Sequence, residues 1–343
     1  MMQETGVAHM KKLINDPFAV VDEMIDGYVA AHPDLVKRAV GGNGRAVVRA
    51  NAPIAGKVGI IIGGGSGHEP AFMGYVGEGS ADGCPVGNVF ASPPPDPILA
   101  TTRAVNGGAG VIYSYGNYSG DVMNFDMAAE LAGAEGIEVR TVLVTDDVAS
   151  APKGSKDERR GIAGGFFVFK ALAARATEMV SLGDVEATAR KANDRTRTMG
   201  VALSACTVPA AGRPTFSLED NEMEIGLGIH GEPGMRRGAI ESADNVADSL
   251  LDAILADMPL AKGERVAVLV NGLGATPAME LYILFRRVAA RLGELGVTIY
   301  RSYVGEYVTS LEMAGASITL IHLDDELARL IDAPARTPMF VQV

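Results

Sequence analysis

The sequence predicts an α/β protein of two domains. The N-terminal one is built on a mostly parallel sheet with helices on both faces, and the C-terminal one is a smaller α+β domain. Three observations carry this reading. Short apolar, β-branched runs at Val58–Ile62, Gly110–Ser114 and Val139–Val144 alternate with helical patterns, the order of a parallel sheet with covered faces. The chain has 343 residues, more than one hydrophobic core usually serves. Its 42 glycines suit many tight strand–helix connections.

Taken in order, residues 1–12 read as a loose terminus. Asp16-Pro17 has the acid and proline of a helix start, and Phe18, Val21, Met24, Ile25 and Tyr28 recur at helical spacing. Ala46–Arg49 and Val58–Ile62 read as strands. The stretch from Cys84 to Pro95 shows no period and reads as a long connection. Asp96-Pro97 opens a helix, Gly110–Ser114 is a strand, and Tyr115–Asp121 is a polar loop before a helix over Met123–Leu131. Val139–Val144 is a strand. Helices are expected from Gly161 to about Val180 and from Val185 to Met199.

Beyond that point the style changes. Thr215–Leu218 and Glu222–Ile229 are strand candidates. Ser242 caps a helix striped by Val246, Leu250, Leu251 and Ile254 and ended by Pro259. Strand Val266–Val270, helix Pro277–Leu292 and strands at Val297–Val304, Ile318–Ile321 and Phe340–Val343 complete the chain. The boundary is placed near residue 190, giving domains 12–190 and 191–343.

Composition excludes several classes. A net charge of −12 disfavours nucleic acid and anionic membrane as partners. Cys84 and Cys206 make no disulfide framework and no metal-ligand spacing, which fits a reducing, cytoplasmic setting. No apolar run reaches the length of a membrane span, and no signal-peptide core is visible.

Two stretches carry chemistry. Gly63-Gly64-Gly65-Ser66-Gly67-His68-Glu69-Pro70 follows the Val58–Ile62 strand, where α/β ligands bind beyond the carboxyl ends of strands. It is no P-loop, because no Gly-Lys-Ser/Thr follows, and His68 stands where a dinucleotide fingerprint needs its third glycine. The second, Gly226-Leu227-Gly228-Ile229-His230-Gly231-Glu232-Pro233-Gly234, echoes the first with a Gly-framed histidine and a Glu-Pro. One such histidine per domain points to a site between domains. Asp121 could join them, or could simply cap the following helix. A neutral imidazole can add to a ketone, and a second His or an Asp can take a hydroxyl proton. The histidines His9, His32 and His322 are assigned no role.

These blocks, with Asn117-Tyr118-Ser119-Gly120-Asp121, Asn124-Phe125, Arg159–Gly164 and Asn271-Gly272-Leu273-Gly274, resemble the K subunit or K domain of the dihydroxyacetone (glycerone) kinases. The resemblance runs from about Lys12 to the C-terminus. It implies that His230 holds a short ketose covalently through Nε2 as a hemiaminal. It implies acid/base roles for His68 and Asp121, and a substrate loop at Gly65, Ser66 and Gly67. It implies a homodimer, and no nucleotide or metal in this chain. ATP or ADP with Mg²⁺ would sit on a nucleotide-binding L-type partner subunit. Paralogues in that family sense the ketose and control transcription instead; retention of both His68 and Asp121 favours the kinase. Gly116 stands where the best-known bacterial members carry a substrate-touching Lys. That points to extra room, beside Tyr115 and Asn117, for a tetrulose such as erythrulose.

Overall fold

The computed structural model describes residues 11–343; residues 1–10, with His9 and most of the terminal segment, lie outside them. The strands group into two large sheets. The first holds β1 (Val36–Arg38), β2 (Ala46–Arg49), β3 (Gly59–Ile62), β4 (Gly64–Ser66), β5 (Gly83–Val89), β6 (Val111–Gly116) and β7 (Val139–Val144), in the order β1-β2-β5-β3-β6-β7 with β4 against β5. Strands β5, β3, β6 and β7 run parallel, while β1 and β2 are antiparallel additions at one edge.

The second sheet begins with β8 (Thr196–Ala202). A small hairpin of β9 (Thr207–Val208) and β10 (Arg213–Pro214) follows outside it. The sheet then takes β11 (Glu222–Ile225), β12 (Arg236–Ala239), β13 (Arg265–Gly272), β14 (Thr298–Gly305) and β15 (Gly315–Leu323), ordered β12-β11-β8-β15-β13-β14. Only its β13–β14 pair is parallel. Ala335–Arg336 and Val341–Gln342 form a last short pair.

Helices fill three layers. On the outer face of the first sheet, α2 (Pro95–Val105) and α3 (Ser119–Ala134) pack Ile98, Leu99, Phe125 and Ala128 on Ile61, Tyr113 and Tyr115. On the outer face of the second, α6 (Ala243–Asp257) and α7 (Ala278–Glu294) cover Val266, Val268 and Val270. The alternate residues Ala267 and Leu269 point the other way, as the period of two requires. There they join a cluster with Ile60, Ile62, Val142 and Val144 of the first sheet. Between the sheets run α4 (Gly165–Thr177), α5 (Leu182–Asp194) and α8 (Asp325–Asp332), and α4 is buried over nearly its whole length. Helix α1 (Val20–Ala31) packs on the β1–β2 edge through Val21 and Ile25. The α/β class, the mostly parallel first sheet and its helices on both faces agree with the sequence.

Several expected elements differ. The stretch read as a connection from Cys84 is the central strand β5; Gly83, Pro85 and Gly87 hide its β character. The helix expected to run to Met199 stops at Asp194, and Thr196–Ala202 is the fully buried strand β8, where burial between strands overrides the helical pattern. Residue 190 therefore lies inside α5, and the second sheet starts at Thr196. Thr215–Leu218 is irregular. Strand β11 ends at Ile225, because Gly226 turns with φ +81. Helix α3 starts at Ser119, so Asp121 lies inside its first turn and Tyr118, not Asp121, is the N-cap.

Candidate functional site

Gly63 follows β3, Gly64 and Gly65 open β4, and Gly116 and Val144 end β6 and β7, so these parallel strands open together on one cleft. The cleft is narrow, with a cavity volume of about 30 Å³, and is closed from the second sheet by Ile229, His230 and Val308. It thus lies between the two sheets.

His230 and His68 meet there, 162 positions apart, with their Nε2 atoms 3.1 Å from each other. His68 is 1% exposed and stacks on Phe90, ring centres 4.9 Å apart. Its Nδ1 lies 2.8 Å from the Thr309 carbonyl oxygen. The loop carrying Thr309 is itself tied to the histidine's backbone: Thr309 N–H donates to the His68 carbonyl (3.1 Å) and Leu311 N–H to that of Gly67 (2.7 Å). Gly67 accepts this close approach at φ +94, a conformation glycine adopts freely.

The Asn271-Gly272-Leu273-Gly274 block supports the same loop. Buried Asn271 donates Nδ2–H to the Val308 carbonyl (2.7 Å) and accepts from the Tyr307 and Val308 N–H groups, each at 2.9 Å. A buried amide satisfied on both sides fixes the loop.

His230 sits on the Gly226–Gly234 turn. Its Nδ1 lies 3.0 Å from Glu232 Oε1, and its backbone N–H donates to Glu232 Oε2 at 2.9 Å. Tyr118 meets the His230 ring edge-on at 4.8 Å. Burial works against ionisation of Glu232, but the hydrogen bond from the His230 ring, that ring's charge and nearby backbone N–H groups outweigh it and hold the carboxyl at about 2. Burial, with His230 alongside, pushes His68 down to about 3 against the Thr309 carbonyl and the Glu232 charge. His68 is therefore neutral at physiological pH.

The tautomers follow from these partners. Each Nδ1 faces an oxygen acceptor, so each carries a ring proton. The two Nε2 atoms face each other at hydrogen-bond distance, a contact that requires a proton on one of them, so a free lone pair on Nε2 of His230 requires that proton to leave or the rings to part.

Asp121 lines the same cleft. Burial raises its carboxyl to about 6, while the Ser92 hydroxyl and His230 pull the other way. Its Oδ1 is buried without a hydrogen-bond partner. A buried carboxylate with a free oxygen and a pKa near neutrality suits a general base.

Of the other expected residues, Gly65 lines the cleft, and a Cβ there would meet the Ala91 backbone nitrogen at 2.6 Å. Ser66 donates its hydroxyl to the Gly87 carbonyl at 2.7 Å, and the Gly67 N–H donates to Glu69. Both are committed to shaping the loop. The gap at Gly116 is partly closed: a Cβ there would meet Tyr118 Cε2 at 2.9 Å and the Gly161 oxygen at 3.0 Å. Tyr115 stacks on Phe125 in the core, and Asn117 donates to the carbonyls of Asp157 and Arg159, and neither lines the cleft. Sequence reasoning missed Glu232, Thr309, Phe90 and Tyr118. The repeated Glu-Pro after each histidine was the available signal for Glu232.

The model of the family described as the Dak1 domain matches residues 26–339. The chain belongs to the Dak1 family. A curated Dak1 relative, the PTS-dependent dihydroxyacetone kinase 2, dihydroxyacetone-binding subunit DhaK, of Listeria innocua, is 50% identical over 96% of this chain and 99% of its own length. The D-erythrulose kinase of Mycolicibacterium smegmatis is 47% identical over 96% of this chain, which spans only 56% of that protein. Among solved structures, the dihydroxyacetone kinase of C. freundii superposes with TM-score 0.87 at 32% identity, covering 97% of this chain and 60% of that one. The dihydroxyacetone kinase operon co-activator Dha-DhaQ gives 0.87 at 31% identity, covering 93% and 98%. Among the described residues no helix is long and apolar enough to cross a membrane, and no three His, Cys, Asp or Glu side chains gather as a metal site.

Proposed function

We propose that this Dak1 chain is the ketose-binding subunit of a dihydroxyacetone-type kinase, an alcohol-accepting phosphotransferase. It would act with a nucleotide-carrying L-type subunit and, as the family resemblance implies, as a homodimer in the cytoplasm. The observation that carries this reading is the His230–His68 pair with both Nδ1 atoms held by oxygen acceptors. That arrangement makes Nε2 of His230 the nucleophile once the proton it shares with Nε2 of His68 has left.

The capture step balances as follows. His230 Nε2 bonds to the ketose carbonyl carbon, the C=O π pair moves to oxygen, and that oxygen takes up a proton. The ring ends neutral when Nδ1–H passes its proton toward Glu232 and on to solvent. Once Nε2 of His230 is bonded to carbon, Nε2 of His68 has lost its neighbour and can accept a hydrogen bond from a ligand hydroxyl. Asp121 or His68 then takes the proton of the terminal hydroxyl as that oxygen receives the phosphoryl group. A nucleotide with Mg²⁺ on the partner would supply that group, either as free ATP or as tightly bound ADP rephosphorylated by a phosphotransferase system; this chain holds and orients the acceptor. Polyols lack the carbonyl and are rejected.

The substrate class is a ketose of three or four carbons. Relatives named for dihydroxyacetone and for erythrulose lie at 50% and 47% identity, which does not separate the two. A ketose-sensing co-regulator is the second reading, supported by the likeness to the co-activator. Asp121 argues for transfer, because capture alone does not need a base. A kinase assay with the cognate partner, alongside intact mass of the ketose-treated chain, separates the readings. Adduct without any turnover would leave the sensor.

A further inference from the structure

The Arg159–Gly164 block has so far no part in the chemistry. Its first member is structural: Arg159 is 1% exposed and pairs through Nη1 (3.0 Å) and Nη2 (2.6 Å) with Asp257 at the end of α6. Arg160 points elsewhere. Its Nε donates to Asp147 Oδ2 at 2.9 Å, its Nη2 to the Gly226 carbonyl at 3.3 Å, and its Nη1 stands 3.9 Å from Glu232 Oε2. Asp147, 1% exposed, lies just beyond β7 in the first sheet. A series therefore runs from that sheet to the nucleophile, Asp147, Arg160, Glu232 and His230, in which the Arg160–Glu232 step is an ion pair at 3.9 Å and not a hydrogen bond.

The series passes over one α-carbon. A Cβ built on Gly228 would collide with Glu232 Oε2 and with Arg160 Nη1. The Gly228 N–H also donates to the Glu232 carbonyl at 3.0 Å, and the Gly231 N–H to the Gly228 carbonyl at 3.0 Å. Glycine at 228 is thus what lets the arginine and the carboxylate approach. Glu232 has one oxygen on the His230 ring and the other on the His230 backbone, and Arg160 faces the second.

We propose that Arg160, anchored by Asp147 and admitted by Gly228, is a positioning residue for His230. It keeps the Glu232 carboxylate in the orientation that fixes a proton on Nδ1 and so makes Nε2 the atom that attacks. This rests on the covalent-capture reading, but concerns the ring's tautomer, which exists without ligand.

The test uses the full chain as Gly228→Ala and Arg160→Lys. The first forces Glu232 and the Arg160 guanidinium apart while keeping both side chains, and the second keeps a cation beside Asp147. Melting temperature confirms folding, ¹⁵N NMR of the His230 ring reads the tautomer, and intact mass against dihydroxyacetone concentration reads capture. Partners that orient metal-bound histidines typically change affinity about 10–100-fold when altered, and by analogy a loss of about that size in half-saturation is expected for both variants. A shift of the His230 signal toward the Nε2–H form should accompany it. Folded variants with wild-type tautomer and wild-type capture would overturn the proposal. If the unaltered chain forms no adduct, the capture reading falls, and the tautomer shift alone still decides the role of Arg160.

Discussion

Asp121→Asn should make the protein more stable and less active. Its folded-state pKa is raised from 3.8 to about 6, with burial the main cause. The folded state therefore holds the Asp121 proton more tightly than the unfolded state does. A raised carboxyl costs nothing below the unfolded pKa, and its full cost applies above the folded one. The rise corresponds to about 3 kcal/mol at most, and solvent in the cleft reduces this to about 1–3 kcal/mol. Asparagine removes the charge, and because Oδ1 has no partner, no hydrogen bond is lost there. With 343 residues the unfolding entropy is about 0.7 kcal/mol/K, so Tm should rise by about 1.5–4 °C at neutral pH. The gain should shrink through the window from about 6 down to 3.8 and vanish below it. Turnover with the partner should fall roughly 10²–10⁴-fold. Thermal melts of both proteins across that window, with a coupled kinase assay, make the test. An equal Tm difference at both ends of the window, or wild-type turnover, would refute the reasoning.

Further outcomes follow from the same geometry. His68→Asn should retain ketose capture but lower turnover roughly 10²–10⁴-fold, read as kcat against the fraction of adduct. With Asp121 at about 6 and His68 at about 3, wild-type turnover should decline as pH falls through about 6, and Asp121→Asn should lack that limb. The isolated chain should bind neither ATP nor ADP tightly, since the Gly63–Gly67 loop has no following Lys; strong Mg²⁺-dependent calorimetric binding would contradict this. With Tyr118 and the Gly161 carbonyl partly filling the space at Gly116, D- and L-erythrulose should give a kcat/KM no higher than that of dihydroxyacetone with the cognate partner. A clear preference for either tetrulose would show that Tyr118 does not close the space at Gly116.

Much of this molecule was legible where local pattern and burial agree. Val139–Val144 is rich in β-branched residues, its alternate Val142 and Val144 are buried, and its strand was read to the residue. Ser242 caps α6 through the Asn245 N–H, as its position promised. Strand β5 was invisible because its pairing, not its Gly- and Pro-rich sequence, makes it a strand. Helix α8 was missed although Asp324 accepts from the Leu327 N–H, an ordinary cap signal ahead of a short helix. At the site, the two Gly-framed histidines could be singled out because their neighbours are unusual. Thr309, 241 positions from His68, offers only a backbone carbonyl, which no side-chain pattern reports. Tyr118 was quoted within a motif, but only the fold shows it leaning over Gly116 and against His230.

The central claim is that Nε2 of His230 captures a ketose covalently. Intact-protein mass spectrometry after mild, borohydride-free quenching tests it most directly, with dihydroxyacetone, erythrulose and glycerol offered to the wild type and to His230→Ala. The account predicts a mass gain equal to one ketose on the wild type, none with glycerol, and none on His230→Ala. It also predicts loss of tight ketose binding in that variant, since hydroxyl hydrogen bonds contribute only about 0.5–1.5 kcal/mol each. An adduct of equal abundance on His230→Ala, or unchanged ketose affinity without it, would contradict the account.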